Sequence, residues 1–444
     1  MDRRAGAAPV LRAILTLGQP APGAPVFPLT ESPADVLFVG KFPQGVMPMP
    51  PKSFFAESPS EVGLDPARVD ALFERAEREV RDGLLPAVQI AIARNGKIGA
   101  MRTIGKAVQG GKEKPATDQT LFTIFSCTKA IMSAASWILI GEGKLRIDER
   151  VADIVPEFGT NGKDQITVEQ VLLHISGFPN APYPQDEWLD RGKRLERFAK
   201  WRLEWPVGSR FEYHPTSGFW VIAEIIERRT GKDFRDFVRD RIALALGLPE
   251  LRVGLPPELH HRVADLVYVG DPISDEERKK LGLPPLPETE VTEEAILGFN
   301  RPHVREAGVP GGGGIMTAGD LALFYQGLLH NRALDGSPIW KPEVLQGARR
   351  VRSAGYKDPI FGFPVNRGLG VAIAGDDGYA NYRGFGKTNS PLAFGHGGAG
   401  GQIGWADPAT GISIGYCTNG FDRNDLRQGR RGVAISSLAA VCAV

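Results

Sequence analysis

Two hairpin-like stretches near opposite ends of this 444-residue chain constrain its fold more than any other feature. Near the start, "AVQIAIARNGKIGAMRTIG" (87–105) is two strand-like runs hinged on Asn95-Gly96. That dipeptide readily supplies the two positive φ angles of a tight hairpin turn. Near the end, "QIGWADPATGISIGYCTNG" (402–420) is two apolar runs joined by Asp407-Pro408-Ala409-Thr410-Gly411. From Ser126 to about Ile296 the pattern is mostly helical with long loops. It includes "TVEQVLLHISGF" and two amphipathic helices separated by Thr230-Gly231. Before the first hairpin, Asp65, Pro66 and Gly83 mark the cap, first position and stop of a helix with a Val69, Leu72, Phe73 and Ala76 stripe. A last helix is expected from about Asn424 to Val444. The order helix, strands, helical insert, strands, helix predicts an α+β fold. Its antiparallel sheet draws on both chain ends, flanked by helices, with a mostly helical lobe beside it and a site in the cleft between them.

These patterns divide the chain into a Pro-rich arm (1–53) and one body (54–444). Within the body the sheet lobe takes about 54–121 and 303–444, and the helical lobe about 122–302. With 53 basic and 52 acidic residues the net charge is +1, which gives no general attraction for nucleic acid. "RQGRR" (427–431) reads as a solvated helix face. Three cysteines and seven scattered histidines make neither a disulfide framework nor a metal-ligand cluster. "GGGG" (311–314) lacks the Gly-Lys-Ser/Thr that would follow it in a phosphate-binding loop. No cofactor and no metal are expected. Arg12 and Pro9 interrupt the short apolar run at the start, so the expectation is a cytoplasmic chain without a membrane span.

"FTIFSCTKAIMSAASWILIGEGKL" (122–145) is a strand end feeding an apolar helix, with Ser126 and Lys129 at the junction. Residues three apart share a helix face, so the Lys129 amine can reach back to the Ser126 hydroxyl. The pair is either a polar cap on a core helix or a nucleophile with its base beside it. A serine hydroxyl is a poor nucleophile until its proton is taken, and a lysine takes it only where burial disfavours the ammonium. Phe125, Ala130 and Ile131 would supply that burial. The helix N-terminus would stabilise developing negative charge. Cys127 points to a different face and reads as a core thiol.

Two further stretches add to the catalytic reading. Tyr213 precedes the Ser217–Arg229 helix in "FEYHPTSGFW"; a tyrosine beside a lysine loses its proton more easily and can relay protons. Near the C-terminus "FGHGGAGG" places His396, Gly397, Gly398 and Ala399 before a strand. Its glycines admit close backbone approach, and an amide there, with that of Ser126, would make a two-donor oxyanion hole. Taken alone, each stretch also fits packing or a turn.

Ser-x-x-Lys, then this tyrosine, then a His-x-Gly strand, in that order, resembles the serine β-lactamase-like superfamily, above all its class C branch with the family VIII carboxylesterases and transacylases. "VLLHISGFP" (171–179) and "PGGGGIMTAGDLALF" (310–324) are similar to two further family segments. The resemblance runs from about Phe54 to Val444. It implies Ser126 as the acylated nucleophile, Lys129 as its base and Tyr213 as the shared acid/base. It further implies the amides of Ser126 and Ala399 as the oxyanion hole, and His396, Gly397 and Gly398 as the substrate-binding strand. The activity implied is that of an esterase or transacylase on a small-molecule ester or amide, with an amine or alcohol as an acceptor. A penicillin-recognising peptidase or lactamase, or a non-catalytic binding member, are the alternatives. Two departures stand out: Pro215 where the family has Asn or Ser, and His396 where dedicated β-lactamases place a carboxylate-binding lysine. The second points to neutral substrates. Acyl donor, acceptor and oligomeric state are not legible.

Overall fold

The computed structural model describes residues 52–282 and 291–444. The Pro-rich arm, apart from Lys52 and Ser53, lies outside the described residues, as does 283–290. In chain order the strands are β1 (Ala87–Arg94), β2 (Lys97–Gln109), β3 (Lys112–Pro115), β4 (Phe122–Thr123), β5 (Arg252–Val253) and β6 (Val267–Val269). They continue as β7 (Gly314–Met316), β8 (Ala372–Ile373), β9 (Phe394–Gly398), β10 (Gln402–Asp407), β11 (Ile412–Thr418) and β12 (Gly420–Asp422). The main sheet is seven-stranded, ordered β3-β2-β1-β11-β10-β9-β8, with antiparallel neighbours. The two hairpins join at its centre, where Gln89 of β1 lies opposite Cys417 of β11. The fold is thus α+β with an antiparallel sheet drawn from both chain ends.

The turns form where local chemistry favours them. Asn95 and Gly96 take φ of 54° and 79° between β1 and β2. Between β10 and β11, the Asp407 carbonyl accepts from Gly411 N and its side chain from Ala409 N. Helix α1 (Pro66–Arg81) starts on Asp65, whose carboxylate accepts from Ala67 N and Arg68 N, and its Val69, Leu72, Phe73 and Ala76 are buried. Helix α2 (Thr128–Gly141) is buried almost all round, as a helix crossing a core must be. Helix α3 (Ser217–Thr230) ends on Gly231 at φ 68°, helix α4 (Ala318–His330) packs under the sheet, and helix α5 (Asp425–Ala440) closes the chain. The last helix is shorter than expected, because residues after Ala440 turn back and Ala443 bridges Leu64.

"RQGRR" is a solvated face only in part: Gly429 and Arg430 are exposed. Arg431 is buried between Glu79 of α1 (2.7 Å) and Asp422 of β12 (2.8 Å), and Arg427 pairs with the same Asp422. Spacing shows an arginine's place on a helix but not which acid another element brings to it. Removing one partner of such a buried pair leaves an uncompensated charge.

Gly415 of β11 lets α4 sit directly on the sheet. A β-carbon there would lie 2.1 Å from the Ala318 carbonyl oxygen, a backbone atom that cannot swing aside. Gly415→Ala is expected to lower stability by about 1–3 kcal/mol, as overpacking does. Urea unfolding of the two proteins checks this; equal midpoints would show that α4 has room to move.

Candidate active site

Ser126 sits in the single 3-10 turn Phe125–Cys127 that links β4 to α2. Phe125 holds φ at +44°, a left-handed angle a bulky residue adopts only when its surroundings enforce it. Its ring is held by Phe299 (5.0 Å) and Phe421 (5.1 Å). Its carbonyl accepts from Thr128 Oγ1 (2.6 Å), which itself accepts from Gly314 N (2.8 Å). The turn thereby presents Ser126 to a cavity of about 1380 Å³, lined also by Tyr213, His396, Gly397, Gly398 and Ala399.

Lys129 is fully buried, with Nζ 3.2 Å from Ser126 Oγ, 2.6 Å from the Pro215 carbonyl oxygen and 2.7 Å from that of Gly311. The Tyr213 and Phe219 rings lie 5.0 and 5.3 Å away. The surroundings are therefore polar at the amine as well as apolar around the stem. A neutral amine has two N–H donors and one lone pair: the carbonyls take the donors and the lone pair faces Ser126. An ammonium has three donors for the same three oxygens. Either state is satisfied without rearrangement, which suits a group that receives a proton. Pro215, the departure noted in the sequence, takes part through its carbonyl.

Tyr213 is packed between the Lys129 amine and the Arg367 guanidinium, whose Cζ lies 5.5 Å from its ring centre. Burial pushes the phenol up to about 12, against the pull of Arg367 and of the neighbouring Ser126 hydroxyl. The hydroxyl has no well-aligned hydrogen-bond partner among the described residues. It faces Ser126 as a neutral phenol. Behind it, His174 Nδ1 accepts from His214 N (3.1 Å) and the His174 ring packs 4.7 Å from that of Tyr213. His214 Nδ1 donates to the Glu212 carbonyl (2.7 Å) while Nε2 accepts from Phe178 N (3.2 Å). The "LLHISGF" segment thus fixes the tyrosine loop. Ser217 is spent on the Phe178 carbonyl (2.9 Å) and is buried, so of the two residues beside Pro215 only Thr216 lines the cavity.

His396, Gly397 and Gly398 end β9, and Ala399 opens the turn into β10. His396 Nε2 accepts from Arg367 Nη1 (3.0 Å), so Nδ1 carries the proton and donates to the Gly397 carbonyl (2.7 Å). Burial, then Arg367 and Lys129, hold its pKa well below the usual histidine range. The close approach allowed by Gly398 is to the protein itself: a β-carbon would lie 2.4 Å from the Ile124 carbonyl oxygen. That contact sets β9 against the Ser126 turn. Cys127 is buried, its thiol donates to the His396 carbonyl (3.0 Å), and burial pushes its pKa up.

Arg367 was not found from sequence. It lines the cavity and has no carboxylate within ion-pair distance among the described residues, whereas Arg210 and Arg383 of the same wall pair with Glu212 and Asp377. A lone arginine in an irregular segment carries no motif that would reveal it. The cavity therefore holds a cation after all, although from another element than the β9 strand, and the inference of neutral substrates from His396 alone loses its basis. Among the described residues no group of acids, histidines and cysteines could hold a metal ion, and no helix is long and apolar enough to cross a membrane.

The β-lactamase family model matches residues 73–438, so the chain belongs to that family. It is 29% identical over 377 residues to esterase EstB of Burkholderia gladioli, covering 80% of this chain and 90% of that protein. It is 27% identical over 313 residues to the esterase/β-lactamase LipL of Mycobacterium tuberculosis, covering 67% of this chain and 68% of that protein. The crystal structure of a family VIII carboxylesterase superimposes with a TM-score of 0.68 at 25% identity, covering 85% of this chain and 99% of that one.

The tyrosine loop makes a pH prediction. His214 is buried, and desolvation lowers its pKa to about 3. As pH falls below about 6.5, the unfolded chain takes a proton at this residue that the folded chain refuses, so folding loses stability. In His214→Asn that loss is absent. The stability gap between variant and wild type should therefore narrow by about 2 kcal/mol between pH 7 and pH 5. Denaturant titrations at the two pH values measure it; a constant gap would show that His214 takes up a proton in the folded state.

Proposed function

We propose that this member of the β-lactamase family is a serine esterase or transacylase acting on small-molecule esters or amides through an acyl-Ser126 intermediate. One observation carries the reading: the buried Lys129 amine, held by two backbone carbonyls, lies 3.2 Å from Ser126 Oγ. The esterase names of the relatives support the same substrate class.

In this reading Ser126 Oγ attacks the substrate carbonyl carbon and its proton passes to Lys129 Nζ. The carbonyl oxygen becomes an anion and accepts from the amides of Ser126 and Ala399. The bond to the leaving group then breaks. The departing alkoxide or amine takes a proton from Tyr213, whose raised pKa keeps that proton available, and Lys129 restores it. Water or an acceptor alcohol or amine enters the vacated place, gives its proton to the same pair and attacks the acyl carbon. The bond from that carbon to Ser126 Oγ then breaks, and Oγ takes the proton back, which restores the free serine. His396, Gly397 and Gly398 bound the substrate on the β9 side. An acceptor that competes with water turns hydrolysis into transfer.

Short-chain p-nitrophenyl esters are expected to give a burst of nitrophenol and a mass increase of one acyl group on Ser126. Ser126→Ala should abolish both. Lys129→Ala and Tyr213→Phe should each lower kcat/KM by about a hundredfold or more. Unchanged turnover by Ser126→Ala would overturn the reading.

A further inference from the structure

Beyond the reacting atoms, one wall of the cavity carries aromatic surface that packing does not account for. Phe361 and Tyr382 are 53% and 59% exposed. With Tyr379 they surround Phe363: the Phe363 ring is near-parallel to Phe361 (6.1 Å, 13°) and to Tyr379 (5.5 Å, 19°), and lies 5.4 Å from Tyr382. The cluster is held in place. The Asp358 side chain accepts from Ile360 N (3.0 Å) and Phe361 N (2.8 Å), and Asp358 N donates to the Phe363 carbonyl (2.8 Å). Arg383 spans from the Ala374 carbonyl to that of Pro364, both at 2.6 Å, with its guanidinium over the Phe363 ring. The outer ring faces are thus fixed without being covered by the described residues.

Phe363 and Tyr382 also line the cavity that holds Ser126, so the exposed rings continue it outward. Its volume of about 1380 Å³ exceeds the roughly 300–1,000 Å³ typical of small-molecule sites. We infer that the Phe361, Phe363 and Tyr382 cluster is a substrate subsite for a flat aromatic group carried on the acyl or the alcohol side of the scissile ester. Aromatic rings held at fixed angles favour another ring over an alkyl chain, because offset stacking adds to the area buried. A partner protein seated there would close the cavity mouth, which disfavours that occupant for an enzyme with small substrates. The inference rests on the esterase reading.

The test uses matched esters: p-nitrophenyl 6-(2-naphthyl)hexanoate against the p-nitrophenyl ester of a straight-chain acid of equal carbon number, and 2-naphthylalkyl against alkyl acetates of equal carbon number for the alcohol side. In one of the two series kcat/KM should favour the naphthyl ester by about tenfold. Phe361→Ser and Tyr382→Ser should bring that ratio toward one, while the distant, exposed Leu334→Ser leaves it unchanged. A wild-type ratio near one in both series, or a ratio that survives both cluster substitutions, overturns the subsite. So does loss of a dimer on Phe361→Ser in sedimentation, which would assign the rings to a second copy of the chain. Fluorescence of naphthylhexanoic acid and of a 2-naphthylalkyl alcohol, each titrated with Ser126→Ala, separates the two readings. Binding of either that Phe361→Ser abolishes supports the subsite even where wild type turns over no ester; turnover without such binding leaves the esterase and removes the subsite.

Discussion

A single buried amine organises this structure. Lys129 Nζ, from the first turn of α2, draws together the Ser126 turn, the tyrosine loop through the Pro215 carbonyl and the glycine-rich segment before β7 through the Gly311 carbonyl. These segments are far apart in sequence, and burying the amine is costly unless its hydrogen bonds are made. That requirement acts together with the Phe125 contacts, the Gly314–Thr128 bond and the His174 and His214 bonds that place Ser126 and Tyr213.

The elements legible in the sequence are those whose causes are local. Asn95-Gly96, the Asp65 cap with Pro66, and Gly231 each fix their own backbone, and the structure places turns and helix ends there. The central β1–β11 pairing fits both hairpins, since each leaves an edge of unpaired backbone N–H and C=O groups to satisfy. The Ser126–Lys129 contact was likewise readable from helix spacing, and Tyr213 and His396 from the order of segments. Contacts made by backbone atoms or between distant elements were not. The Pro215 carbonyl on Lys129, Gly398 against Ile124, and the burial of Arg431 leave no trace in composition or periodicity.

Arg367 alters the meaning of the His396 departure. An imidazole that accepts from a guanidinium is kept neutral, so the fixed positive charge on this side of the cavity is that of Arg367 and does not come from the β9 strand. The arginine also lies over the Tyr213 ring, so its field acts on the phenol as well as on whatever enters the cavity. One side chain thereby couples the electrostatics of the Tyr213 phenol to those of the cavity wall.

The left-handed Phe125 has a consequence for how this chain balances endurance against activity. A bulky residue at φ +44° holds free energy of about 1–3 kcal/mol that the rest of the fold must supply. Glycine would adopt the angle freely, yet it would forfeit the ring contacts with Phe299 and Phe421 that lock the turn. A strained backbone thus stands immediately before the residue it displays. Selection for heat resistance alone would press on this position, and the hardier descendants would present Ser126 less firmly.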